Sequence, residues 1–128
     1  MNIVNTVLFI GLGGFIGSNL RYLIGVYINR YSHEMTGTLI VNITGSFCIA
    51  LFYGFITQKY NVNDNLKYFF PIGLLGSYTT FSTFSYTTLI LMNEGNYVRA
   101  GMNIILSFSL CLLMAFIGFW ISNTLLRF

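Results

Sequence analysis

Gly73-Leu-Leu-Gly-Ser-Tyr-Thr-Thr-Phe-Ser-Thr-Phe-Ser85 lies in the middle of an apolar stretch covering about 68–92. Within it, Thr79, Thr80, Ser82, Thr83 and Ser85 put five hydroxyls into seven positions, interrupted by Phe81 and Phe84. An unpaired polar group in hydrocarbon is costly, so hydroxyls at this density belong against something polar. Gly73 and Gly76 stand just before the β-branched run and are where a helix can open. The stretch therefore reads as an interrupted helix, buried in protein or lining a pore, that offers backbone and hydroxyl groups to an ion.

Three more apolar runs surround it, at about 3–28, 38–56 and 98–126. Each of the four reaches the ~20 residues that cross a ~30 Å hydrocarbon core. The chain has 128 residues, 55% of them hydrophobic and 7% charged. Soluble domains carry about 25% charged residues, so a soluble fold is excluded. The expected fold is an all-α membrane protein, a single domain over 1–128 with four transmembrane helices, the third broken in mid-membrane. The expected location is the cell membrane. A cleavable leader is not expected: the N-terminus lacks a basic region and its apolar run is long and glycine-rich. The formal charge of +3 is scattered, with no basic run, which argues against a nucleic-acid partner.

Four spans place both termini and the loop between the second and third spans on one side, with Lys59, Lys67 and Arg127. The other side carries Arg30 and Arg99. Orientation follows Lys/Arg excess, and this chain has almost none. Insertion in both directions is the resulting hypothesis, with two opposite copies pairing about an axis in the membrane plane.

In the first span Gly13, Gly17, Arg21 and Gly25 recur every fourth residue, one slowly rotating stripe. We read the glycines as a packing seam, since Gly13-x-x-x-Gly17 permits close helix approach. Arg21 either faces the interior or a vestibule, attracting anions, or snorkels to the interface. Thr38, Asn42 and Ser46 form a polar stripe on the second span, with Asn42 able to donate two hydrogen bonds inside the membrane. Asn103, Ser107 and Cys111 form a similar stripe on the fourth. Phe81 and Phe84 are neighbours if helical, and an aromatic ring presents a positive edge that stabilises an anion without holding it as a fixed cation does. Asp64 is expected to cap the third span, and Pro71 to lie near its start, where its missing N–H is tolerated. His33, the one histidine, reads as a loop residue, and Cys48 and Cys111 as packing residues.

Thr79-Thr-Phe-Ser-Thr-Phe-Ser85, Gly13-Gly-Phe-Ile-Gly-Ser-Asn-Leu-Arg-Tyr22 and Thr38-Leu-Ile-Val-Asn-Ile-Thr-Gly-Ser-Phe47 resemble the three signature blocks of the CrcB/Fluc fluoride channels, in order and spacing, over essentially the whole chain. The resemblance implies an antiparallel dual-topology dimer with two fluoride pores. It implies Phe81 and Phe84 as pore edges, Asn42 as amide donor and Arg21 near the vestibule, while the hydroxyl run itself puts Thr80 and Thr83 along the path. It also implies a structural Na+ at the dimer centre, held by the backbone carbonyls of Gly76 and Thr79. The fourth-span pore serine of the family falls on Cys111, so Ser107, one turn away, supplies the hydroxyl, with Ser109 as rival. Thr87 stands where many members have Glu, Asn103 where a tyrosine is frequent, and Ser77 where a glycine is common. The implied activity is passive export of cytoplasmic fluoride, by a homodimer or with a related second chain.

The residues themselves fit that activity. Fluoride is small and strongly hydrated, and the chain concentrates hydroxyls, amides and ring edges while putting no acid in any span. The main alternative, a four-span proton-coupled drug exporter, needs an intramembrane carboxylate, and Glu34, Asp64 and Glu94 all fall in loops. An assembly subunit without transport leaves the hydroxyl and Asn stripes unexplained. An enzyme is not expected, because no nucleophile–base pair or metal cluster is visible.

Overall fold

The computed structural model describes residues 2–32, 34–58 and 62–125, all connected helices and turns. His33, Lys59 and Arg127 lie outside the described residues. Helix α1 (Ile3–Asn29) starts at Asn2, whose side chain accepts the Val4 N–H at 3.2 Å, one of the first-turn donors that no helical carbonyl reaches. At its far end the Arg30 N–H bonds to Val26 O and the Tyr31 N–H to Ile28 O.

Helix α2 (Glu34–Gln58) starts four residues before the expected 38. The polar segment before Thr38 looks like loop by composition, yet a first helical turn tolerates polar residues. One of its orphan donors, the Gly37 N–H, is satisfied by Asn29 Oδ1 at 2.9 Å, which docks the end of α1 on the start of α2.

The third apolar stretch is not one helix. It begins as α3 (Asp64–Lys67), continues as a π-helical segment (Tyr68–Leu75) and then as α4 (Gly76–Tyr78). The cap is Asn63, not Asp64: Asn63 Oδ1 accepts the Asn65 N–H at 3.0 Å. Asp64 instead lies in the first turn, where its charge suits the helix dipole, and pairs with Lys67 Nζ at 3.0 Å. Pro71 lies further in than expected, buried within the π segment. A proline inside an α-helix removes one hydrogen bond and clashes with the carbonyl four residues back, and here the helix is wound in wider π turns around it.

Thr79 and Thr80 are extended (φ −81°, ψ 154° and φ −151°, ψ 119°), and the helix resumes as α5 (Phe81–Asn93). The opening thus falls at Thr79–Thr80, beyond Gly73 and Gly76. Both glycines keep helical surroundings, and Gly73 is used for packing against α1 near Ile10. A turn through Gly95, at φ 75°, leads to α6 (Tyr97–Leu125).

Three stretches, Ile3–Asn29, Met35–Ile56 and Tyr97–Leu125, are helices long and apolar enough to cross a membrane. Neither piece of the broken stretch is: the 13 residues of α5 rise only about 20 Å. α2 lies along α6 in the most extensive contact of the fold, and α1 lies on the π segment.

Gly13 and Gly17 make that second contact possible. A Cβ on Gly13 would collide with Phe69 O, and one on Gly17 with Leu74 O, backbone atoms that no rotamer change can move aside. Gly17→Val is expected to remove nearly all monodisperse protein from a detergent preparation, read by gel filtration. The same substitution at Gly25, which has open space at its Cβ, is expected to leave the yield within about twofold, as surface substitutions generally do.

A candidate ion pathway at the helix break

A helix interrupted in an apolar bundle leaves backbone groups that need partners. Asn42, in the middle of α2, supplies two of them. Its Oδ1 accepts the Thr80 N–H at 2.8 Å and its Nδ2 donates to Thr80 O at 3.0 Å. The amide matches both backbone groups of one extended residue, which fixes where the helix opens. Thr80 completes the junction as the N-cap of α5: its Oγ1 accepts the Thr83 N–H at 3.2 Å, donates to Thr83 Oγ1 at 3.1 Å and lies 3.1 Å from Ser82 Oγ. On the other side of the break Thr79 Oγ1 and N both bond back to Leu75 O. The hydroxyl cluster therefore serves first to terminate and restart a helix.

Two cavities share Thr80 as a wall. The first, of about 370 Å³, brings together Asn42, Ser46, Phe81, Phe84, Ser107 and Cys111. The two rings lie 5.3 Å apart between centroids, tilted by 42°. Phe81 is 78% exposed in the single chain, so its ring is held by this wall on one side only. The second cavity, of about 300 Å³, is lined by Arg21, Ser18, Asn29, Thr38 and Thr83.

Each expected site residue can now be located. Asn42, Phe81, Phe84, Ser107 and Thr80 meet in the first cavity, and Thr80, Thr83 and Arg21 in the second. Arg21 is half-buried and lines this cavity, and the one ion pair among the described residues is Lys67–Asp64. Of the fourth-span candidates, Ser107 and Cys111 line the first cavity and Ser109 does not. Gly76 begins the last helical turn before the break and Thr79 is the first extended residue of it. Asn103 leaves the stripe it shares with Ser107: it turns away from the cavity and is buried against Thr88. Sequence reasoning missed Asn29 and Ser18 as cavity residues, although their spacing from Arg21 on α1 carried the signal. Cys48 lines neither cavity and packs against the small core of Val41, Leu75 and Tyr78. Cys48→Ala is accordingly expected to leave ion flux within about twofold of the parent chain, measured by efflux from liposomes.

Apolar helices around a polar break, with amide, hydroxyl, aromatic and guanidinium groups facing open cavities beside it, define a multi-helix membrane protein. The family profile described as "CrcB-like protein, Camphor Resistance (CrcB)" matches residues 8–119. A protein of Campylobacter jejuni subsp. jejuni serotype O:23/36 (strain 81-176) is 46% identical over 121 residues, covering 92% of this chain and 98% of its own length. One of Shewanella sp. (strain ANA-3) is 43% identical over 117 residues, covering 90% and 94%. Both bear the name fluoride-specific ion channel FluC. The chain belongs to the CrcB family, and these relatives are named as ion channels, not enzymes.

Proposed function

We propose that the chain is a fluoride-selective channel of the cell membrane that lets cytoplasmic fluoride leave passively down its electrochemical gradient. The observation that carries this reading is the first cavity, where Asn42, Thr80, Phe81, Phe84 and Ser107 meet beside the break. The names of the relatives support it. The α3–α4 piece and α5 together make one span, giving four, and the whole chain acts as one membrane domain.

Fluoride holds its water tightly, so a selective path must replace that water with donors. Asn42 has a second Nδ2 hydrogen beyond the one given to Thr80 O, and it is available to the cavity. Phe81 and Phe84 offer positive ring edges, and Ser107 a hydroxyl. Thr80 gives its proton to Thr83 Oγ1, which leaves the Thr83 proton for the second cavity, where Arg21 raises the local anion concentration. Hydrogen fluoride enters cells uncharged and ionises inside, and a membrane potential negative inside then drives the anion out without other energy.

The break also fits a bound sodium ion. In an unbroken helix Gly76 O and Thr79 O would accept from residues 80 and 83. Here the Thr80 N–H goes to Asn42 Oδ1 and the Thr83 N–H to Thr80 Oγ1. Neutral carbonyl oxygens released in this way are a donor set suited to a hard cation. Gly76 and Thr79 would hold Na+, which would supply positive charge at the centre of the assembly. A second copy of opposite orientation, or a related second chain, closes the open side of Phe81.

A proton-coupled exporter remains less suited to these residues. Asp64 is at a helix start paired with Lys67, and Glu94 is in the exposed turn before α6. Expression in bacteria made fluoride-sensitive by loss of their own fluoride export tests the function. Growth in millimolar-range fluoride is the expected result, and growth no better than with an empty vector contradicts the proposal.

A further inference from the structure

The wall that carries Phe81 and Phe84 is pinned at its start, where Asn42 holds Thr80, and within the single chain it has little buried anchorage beyond that point. Helix α5 buries a single side chain, Thr88, and that side chain is polar. Thr88 stands one turn after Phe84 and two after Phe81, on the same helix face. Its Oγ1 donates to Phe84 O at 2.8 Å and accepts from Asn103 Nδ2 at 2.8 Å. Asn103 is 2% exposed on α6, one turn before Ser107. A side-chain pair with both ends buried thus links the two helices that face each other across the first cavity. Buried polar pairs contribute little net stability, but they fix one register among several, because a slip here leaves the buried Asn103 amide without its acceptor. With the start of α5 held at Thr80, apolar contacts alone beyond it would still tolerate a tilt or rotation that the Asn103–Thr88 bond opposes.

We infer that Asn103 is a positioning residue: through Thr88 it sets the register of α5 on α6 and so holds the Phe81–Phe84 edge at a fixed distance from Ser107. Asn103 touches no ion; it acts through the helix that carries the rings. A wall free to shift admits larger, less hydrated anions, so the readout of this role is selectivity rather than total flux. A merely structural contribution would lower the amount of folded channel and leave the ratio of fluoride to chloride flux unchanged.

The inference rests on the channel reading, and one experiment separates the two. The full chain and its variants Asn103→Leu, Thr88→Val, the double variant and Thr88→Ser are reconstituted in liposomes loaded with fluoride or chloride. Ion-selective electrodes follow release. Each single variant is expected to lower the fluoride-to-chloride ratio about tenfold, the double no further than either single, and Thr88→Ser, which keeps the hydroxyl, to retain the parent ratio. Thr88→Val preserves side-chain shape and carries the test if Asn103→Leu fails to fold. Unchanged ratios in Thr88→Val, losses that add in the double variant, or a Thr88→Ser ratio as low as that of Thr88→Val overturn the positioning role. Failure of the parent chain to release fluoride overturns the channel reading instead, and this inference with it.

Discussion

Phe81→Ile and Phe84→Ile are each expected to reduce fluoride flux by about 10- to 100-fold in a chain that still folds. The estimate follows from what the ring supplies. A group bonded to an ion contributes about 1.5–3 kcal/mol, and every 1.4 kcal/mol is about tenfold in rate. Isoleucine fills similar space but offers no positive edge, so a partly dehydrated anion beside it lacks a partner. Folding is little affected, because the rings line a cavity rather than the packed core of Val41, Leu75 and Tyr78. Initial efflux per reconstituted protein, compared with its gel-filtration profile, measures both quantities. Wild-type efflux in both variants would mean that the rings only pack.

Asn42→Ala is expected to be at least as damaging, for two reasons that add. It removes a donor from the cavity, and it removes both partners of the Thr80 backbone. Left without Asn42 Oδ1, the Thr80 N–H must find another acceptor or remain unpaired, which costs about 1–3 kcal/mol when buried. Gly76 O, four residues back, is the nearest helical acceptor, and donation of the Thr80 N–H to it would close the break. Fluoride efflux is expected to fall more than about 100-fold, beyond either Phe variant. Asn42→Asp keeps an acceptor for the Thr80 N–H but sets a negative charge against Thr80 O and the anion path, so it is expected to conduct at least as poorly as Asn42→Ala. Normal efflux from Asn42→Ala would remove Asn42 from the pathway.

Much of this architecture was legible in the sequence because hydrocarbon imposes simple rules. The first span, expected over 3–28, is the helix Ile3–Asn29, and the last, expected over 98–126, is Tyr97–Leu125. The interruption was visible as excess hydroxyls in an apolar run. Its position was not, because glycine marks where a helix can open, whereas the opening is decided by where a partner waits for the freed backbone. Asn42 waits opposite Thr80, 38 positions away in sequence, and that pairing is tertiary. The start of α2 was misread for a similar reason, since the cap for Gly37 comes from Asn29 on another helix. Proline position alone could not announce the π winding around Pro71. The i, i+4 stripe grouped Asn103 with Ser107 correctly on one helix face, but periodicity does not say that one of the two is taken by Thr88 while the other meets a cavity.

The central proposal is that this chain forms a path selective for fluoride. Liposomes containing only the purified chain, loaded with equal fluoride or chloride and opened to ion flow with a potassium ionophore, test it most directly. The account predicts fast fluoride release with chloride release no greater than from empty liposomes. Equal release of the two anions, or no fluoride release from a monodisperse preparation either alone or with a related second chain, would contradict it.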